Sequence, residues 1–541
     1  MSGRGCRLAA VVRVVVTTAV TVAVTAAVTA AVTAAVTAVV TPRSRRPREH
    51  GGHRIAHRAE DAMTAPEPLT RRRLLAALPA LSALPALSAL PALPALGTLG
   101  ATSLLAACGG GTFDETGPPQ ITRFESSSTA TFVGQRVRLV VDYRGGEGRI
   151  EPGLGPVARG AEVITPPLAA DTLFRLVVER AGATPATRTL RVTVSHRDRY
   201  AVAGDTATLS QHAAVAAADG SVLLLGGSRG ERVLSNAIDR FDPDTGRVTR
   251  IGQLAQGRSD ASAVRLPTGQ VLLLGGEASI DARQAELVDE RSGAARAAGA
   301  LSVSRTEHAA VRLATGAVLV LGGTAPGEGN PLGVSRSAEL WEPATQRFRR
   351  LAAAMTQPRA AHSATLLPDG RVLIAGGYTT SASYTFAEIF DPATERFTAL
   401  PDALPLRANH LALAAPDGGV LLLGGETVQQ DVIDPVPLAS VLRFDPATGR
   451  FATLPALQAP RTLVRGAMLP GGQALLFGGE LAAGVPGASA ERFDTATGGR
   501  AIATLDRARR YHSVTALPSG RVAVIGGEDG RDFTDAVLLY E

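Results

Sequence analysis

The chain has 541 residues, with 58 glycines and only 4% aromatic residues, a balance that favours turn-rich β structure over helical bundles. Its formal net charge is +6, but the first 117 residues hold 12 arginines against 6 acids, which leaves 43 residues of each sign beyond them; the body is neutral, and no polybasic nucleic-acid surface is expected. Both cysteines, Cys6 and Cys108, precede the body, so no disulfide framework or thiolate metal site is expected there.

Residues 14–41 carry no charge and consist almost wholly of Val, Ala and Thr. The run is long enough to span a bilayer. Its recurring Ala-Ala-Val-Thr units read instead as low-complexity sequence upstream of a true start at Met63. From there Thr70-Arg71-Arg72-Arg73-Leu74-Leu75 supplies a charged segment and residues 76–104 an apolar one, and Leu105-Ala106-Ala107-Cys108-Gly109 follows. The first resembles a twin-arginine motif and the last the lipobox of bacterial lipoproteins. That resemblance implies export, a diacylglyceryl group on Cys108 as the mature N-terminus, and a membrane held through that lipid. Gly109 after the cysteine implies the outer membrane of a bacterial cell envelope. Residues 1–62 are then a leader, 63–107 an export signal and 108–117 a flexible linker.

Residues 118–196 are expected to form a small β-sandwich. Val137, Leu139 and Val141 alternate along one segment, Phe174, Leu176 and Val178 along another, and Leu190, Val192 and Val194 close the region. Period-2 patterns between Gly/Pro clusters read as short antiparallel strands. The region resembles the Ig-like modules of bacterial surface proteins, without their Cys…Trp…Cys set, and a spacer role is expected.

Residues 197–541 repeat. Apolar runs end in Gly-Gly seven times, at Gly226, Gly275, Gly322, Gly376, Gly424, Gly478 and Gly526, at intervals of about 50 residues. In the fourth repeat His362 opens a strand, Pro368-Asp369-Gly370 turns it, and Arg371-Val-Leu-Ile-Ala returns, apolar enough to be buried on both faces. A loop, a third strand, the turn Asp391-Pro392-Ala393-Thr394 and an outer strand follow. Four strands per repeat make one blade. Seven repeats give an all-β, seven-bladed β-propeller, its last blade completed by the segment from Tyr200. The Gly-Gly, Asp-Pro-Ala-Thr and Arg-x-x-His motifs resemble the kelch family, within the galactose-oxidase central-domain superfamily. Repeats two and six depart from it, with Ser262 and Gly466 near the place of the histidine.

Antiparallel pairing brings the start of each inner strand and the end of the next to one mouth of the channel. Arg258, Arg305, Arg359, Arg407, Arg461 and Arg509 precede the inner strands; Glu277, Tyr378, Glu426, Glu480 and Glu528 follow the Gly-Gly pairs, with Ser228 and Thr324 completing the set. These residues are expected either to form a recognition surface, since arginine suits bidentate contacts, or to pair with the carboxylates of neighbouring blades and hold the ring together. His212, His308, His362, His410 and His512 are spread around the axis, so packing rather than a metal site is expected.

Arg509-Arg510-Tyr511-His512-Ser513 resembles the copper-ligand strand of galactose oxidases, but the partner cysteine and a later histidine domain are not expected here. The functional expectation is therefore non-catalytic binding of a protein or glycan at the mouth, with no catalytic residue, cofactor or metal. A sugar-modifying envelope enzyme using the same Arg/Glu mouth, and a purely structural surface protein, are the alternatives.

Overall fold

The structure, a computed structural model, describes residues 117–541 except 207–208, 231–232, 327–332, 380–385, 403, 428–434 and 483. The leader, the export signal and Cys108 lie outside the described residues. Every regular element described is a β-strand.

The N-terminal part is two sheets on one core. Gln120–Ser126, Arg138–Arg144 and Glu162–Ile164 form one. Ala130–Phe132, Ala186–Ser195, Thr172–Glu179, Glu147–Glu151 and Gly155–Val157 form the other, in that spatial order. Alternation along the strands turns Leu139, Val141 and Tyr143 inward to meet Phe174, Leu176 and Val178.

The remainder is seven four-stranded antiparallel sheets, with three two-stranded ribbons beside them: Arg258–Ser259 with Glu277–Ala278, Glu426–Thr427 with Val436–Pro437, and Glu480–Ala482 with Val485–Pro486. Sheet 1 holds Ala213–Ala216, Val222–Leu225, Ala237–Asp242 and Arg247–Gln253. Sheet 2 holds Ser262–Arg265, Gln270–Leu274, Gln284–Asp289 and Ala295–Ala300; sheet 3, Ala309–Arg312, Val318–Leu321, Ala338–Glu342 and Arg347–Arg350. Sheet 4 holds Ser363–Leu366, Val372–Ala375, Ala387–Asp391 and Arg396–Ala399; sheet 5, Leu411–Ala414, Val420–Leu423, Val441–Asp445 and Arg450–Leu454. Sheet 6 holds Arg465–Met468, Ala474–Phe477, Ala490–Asp494 and Gly498–Ala501. Sheet 7 takes Ser513–Ala516, Val522–Ile525 and Ala536–Tyr540 from one end of the repeated region and Tyr200–Asp205 from the other, with Tyr200 opposite Tyr540. First strands of successive sheets are neighbours, and that of sheet 7 adjoins that of sheet 1. The sheets therefore close a ring.

Packing explains why each second strand is apolar throughout. Side chains alternate between faces with period two, and here each face meets a different neighbouring sheet. Val222 and Leu224 enter the core shared with sheet 7, while Leu223 and Leu225 enter the core shared with sheet 2. The same split recurs in sheet 4, where Val372 and Ile374 face sheet 3 and Leu373 and Ala375 face sheet 5. Seven such cores follow one another around the ring.

The Gly-Gly pairs lie where successive sheets join. The second glycine of each donates its N–H to the carbonyl of the residue that stands four positions before the next sheet's first strand. Examples are Gly227 to Arg258 at 2.7 Å, Gly377 to Arg407 at 2.9 Å and, closing the ring, Gly527 to Leu209 at 2.8 Å. A Cβ on Gly226, Gly322, Gly376 or Gly478 would sit 2.4 Å from that same carbonyl oxygen. The second glycines also have φ between 78° and 101°, which a side chain disfavours.

The two-sheet part packs on the ring's other end. A Cβ on Gly520, in the turn after the first strand of sheet 7, would lie 2.4 Å from Val133 and 2.8 Å from Ala169. The ends carrying Gly-Gly thus face away from it. Replacing Ile374, fully buried between sheets 3 and 4, with alanine is expected to cost about 2–5 kcal/mol, read as a lower midpoint in urea denaturation.

Candidate functional site

The six arginines do not line the mouth. Each is 0% or 1% exposed. Arg359 donates from Nη1 to the Gly376 carbonyl at 2.9 Å and from Nη2 to Glu388 at 2.6 Å. Arg305 bonds the Gly322 carbonyl at 2.8 Å and Glu339 at 2.8 Å. Arg258 lies 3.5 Å from Glu286, and Arg461 pairs with Glu491. Sheets 5 and 7 have Leu442 and Leu538 where sheets 2, 3, 4 and 6 carry the glutamate, so Arg407 settles for the Ser440 hydroxyl at 3.0 Å and Arg509 turns to Asp506. This corrects the expectation of exposed guanidinium groups. It also corrects the expected partner, because the paired carboxylate belongs to the arginine's own sheet. The physical reason is that each guanidinium caps the carbonyl left free by the first glycine of the pair, deep inside the joint.

The residues after Gly-Gly divide. Glu426 and Glu480 are 6% and 8% exposed and already engaged. Glu426 accepts from the Asn409 amide at 2.7 Å, and Glu480 pairs with Arg510, which also holds Glu528 at 2.9 Å. Arg510, one residue beyond the arginine singled out from the sequence, thus joins sheets 6 and 7. Tyr378 is half-buried and donates to Glu307 at 2.6 Å. Glu277 is exposed. Ser228 is buried and donates to the Gly230 carbonyl at 2.9 Å, and Thr324 lies 3.5 Å from Glu307.

A set that the sequence reading missed forms the mouth itself. Two residues beyond each arginine, and two beyond Leu209, the backbone turns left-handed. Gln211, Asp260, Glu307, Ala361, Asn409, Leu463 and Tyr511 have φ between 49° and 54°. Such angles are uncommon outside glycine and persist where the surroundings fix them. Here backbone bonds between neighbouring sheets do so. Asp260 N–H donates to Gln211 at 2.9 Å, Ala361 to Glu307 at 3.0 Å, Asn409 to Ala361 at 3.1 Å, Leu463 to Asn409 at 3.2 Å, and Gln211 to Tyr511 at 2.9 Å. All seven line a cavity of about 630 Å³ at the centre of the ring. No two are the same amino acid, so the backbone is uniform and the chemistry differs from sheet to sheet. The only available signal was positional: a variable residue at a fixed offset from an invariant arginine.

Asp260 faces the central cavity, with protein around it. Loss of bulk solvation pushes its carboxyl up to about 6, opposed by Arg465 and helped by Glu277 and Glu307. The Gln211 amide holds it at 2.8 Å.

The five histidines pack against glycines. A Cβ on Gly275 would stand 2.3 Å from His308 Cε1, and one on Gly322 or Gly376 would stand 2.9 Å from His362 or His410. The register puts Ala261 and Val464 at the two positions without histidine, correcting the assignment to Ser262 and Gly466. Burial holds the imidazoles neutral, at about 4 for His212 and about 3 for His308 and His410.

No family model matches the sequence, and no curated protein matches it. Among solved structures it is similar to a fungal alcohol oxidase of the AA5 family, determined in complex with copper. The TM-score is 0.52 at 14% identity, over 63% of this chain and 75% of that one. Such a likeness speaks for the all-β fold. Copper does not fit the residues present. Among the described residues no three of His, Cys, Asp and Glu converge, and His512 is buried between sheets with its Cε1 against Gly478.

Arg359→Ala is expected to destabilise by about 3–5 kcal/mol, because Glu388 is left charged and buried; equilibrium denaturation measures it. The histidines set an acid limit. In the unfolded chain they take up protons near 6.5, whereas the folded state resists until about 4 or 3. Stability from this source is complete above 6.5 and falls as pH drops toward 4. Melting curves from pH 7 to 4.5 are expected to show a falling Tm, with a shallower slope in His308→Gln.

Proposed function

We propose that the protein is an exported cell-envelope lipoprotein, anchored through Cys108, whose seven sheets are the blades of a kelch-type β-propeller and whose N-terminal sheets are an Ig-like spacer. Its role is non-catalytic binding of a carbohydrate or protein ligand at the ring mouth. The observation that carries this reading is the ring of seven different side chains on one fixed backbone around the central cavity. Rigid rings that display variable residues are suited to recognition. A cavity of about 630 Å³ suits a small polar group such as a sugar unit. The spacer packs on the opposite end of the ring, so an anchor preceding it would leave the mouth directed outward.

One observation favours a second reading, a sugar-modifying enzyme at the same mouth. A carboxyl held near 6, as Asp260 is, suits general acid–base chemistry near neutrality.

Full-length protein isolated from its native membrane is expected to have an intact mass that begins at a lipidated Cys108; a mass retaining residues 1–107 overturns the anchor. On glycan and peptide arrays it is expected to bind a defined ligand without turning it over. The double variant Asp260→Ala/Glu277→Ala is expected to bind about tenfold more weakly or worse. Turnover abolished by Asp260→Ala would favour the enzyme, and no binding on either array would overturn recognition at the mouth.

A further inference from the structure

The first residue of the strand nearest the axis is small or apolar in six of the seven sheets, as at Ala213, Ser262 and Leu411. In sheet 6 it is Arg465. This guanidinium lines the central cavity and is exposed to it. The contrast with the six joint arginines is sharp. Each of those is bonded to a backbone carbonyl and paired with a carboxylate or hydroxyl, whereas none of the described residues gives Arg465 a hydrogen bond or salt bridge. The carboxylate whose charge acts on it is Asp260, just before sheet 2, and that carboxylate is already held by Gln211. Protein around the channel deprives the guanidinium of bulk water, which lowers its pKa. An arginine in this state is a planar, five-donor fork with nothing to grip.

The rest of the cavity narrows the choice of anion. Asp260 and Glu307 line it with two carboxylates against the single guanidinium. A doubly charged phosphate would be repelled by them, whereas one carboxylate matches the fork in bidentate fashion. The other polar groups of the lining, among them Gln211, Asn409 and Tyr511, suit hydroxyls that can both donate and accept.

We infer that Arg465 is the carboxylate-binding residue of the channel, and that the ligand taken at the mouth is an acidic sugar, a polyhydroxylated monocarboxylate. The sugar half of this statement rests on the carbohydrate reading above; the carboxylate half does not.

The test is calorimetric titration of the full chain with glucuronate, glucose and acetate, on wild type, Arg465→Met and Arg465→Lys, with circular dichroism and Tm to verify folding. Glucuronate is expected to bind wild type about tenfold or more tightly than glucose. Arg465→Met is expected to erase that preference while leaving glucose affinity unchanged, and Arg465→Lys to restore part of it. Equal affinity of wild type for glucuronate and glucose, or a preference that survives in Arg465→Met, overturns the inference and leaves the carbohydrate reading standing. Binding of acetate that depends on Arg465, with neither sugar bound, overturns the sugar and upholds the carboxylate. No binding of any of the three overturns both.

Discussion

One backbone hydrogen bond organises the ring: the N–H of a glycine at the end of one sheet, donated to a carbonyl just before the next sheet's first strand. It recurs at every joint, from Gly227 to Gly527. The donor can approach that carbonyl only if neither it nor the glycine before it carries a Cβ. At six joints the accepting residue is the buried arginine, whose side chain folds back onto the next glycine pair along the chain; at the seventh it is Leu209. Two residues later the backbone turns left-handed and the mouth begins. Glycine pair, arginine and mouth residue are thus consecutive consequences of one contact, which is why they share a period.

Burying six guanidinium groups is an expensive way to hold sheets together, since well-packed apolar residues often do as well. What the ion pairs add is geometry. Arg258, Arg305, Arg359 and Arg461 are each fixed by a backbone carbonyl on one side and by a strand-three glutamate on the other, so sheet and joint are set at a defined angle. Sheets 5 and 7 keep the arginine without that glutamate, through Ser440 and Asp506. The carbonyl contact is therefore the constant part and the carboxylate the replaceable one.

Uniform joints leave the mouth free to vary. The seven left-handed residues are fixed in backbone angle by their neighbours, so their side chains can change without disturbing the ring. Arg465 follows the same logic one layer inward, because the strands that line the channel are packed on their other flanks. The regular positions hold the ring, and the irregular ones are where the chemistry of one repeat differs from that of the next.

The periodic glycines, the two-faced apolar strands and the turns were legible in the sequence, because each rests on contacts within a repeat or on a steric demand that only glycine meets. Closure by Tyr200–Asp205 was legible too, as a missing fourth strand. The roles of the arginines were not. An arginine before a strand reads alike whether it points to solvent or into a joint; the carbonyl and glutamate that draw Arg359 inward, at Gly376 and Glu388, lie later in its own sheet and meet it only once the strands have paired. The mouth residues were hidden for the opposite reason: Gln211, Asp260, Glu307, Ala361, Asn409, Leu463 and Tyr511 share no chemistry, only a backbone angle that the ring imposes. The sequence determined the repeat and its strands through local sterics and periodic burial. Tertiary structure alone decided which polar side chains are consumed in holding the ring and which face its cavity, since that depends on contacts made only after the strands pair, within a sheet for the arginines and between sheets for Tyr378 and Arg510.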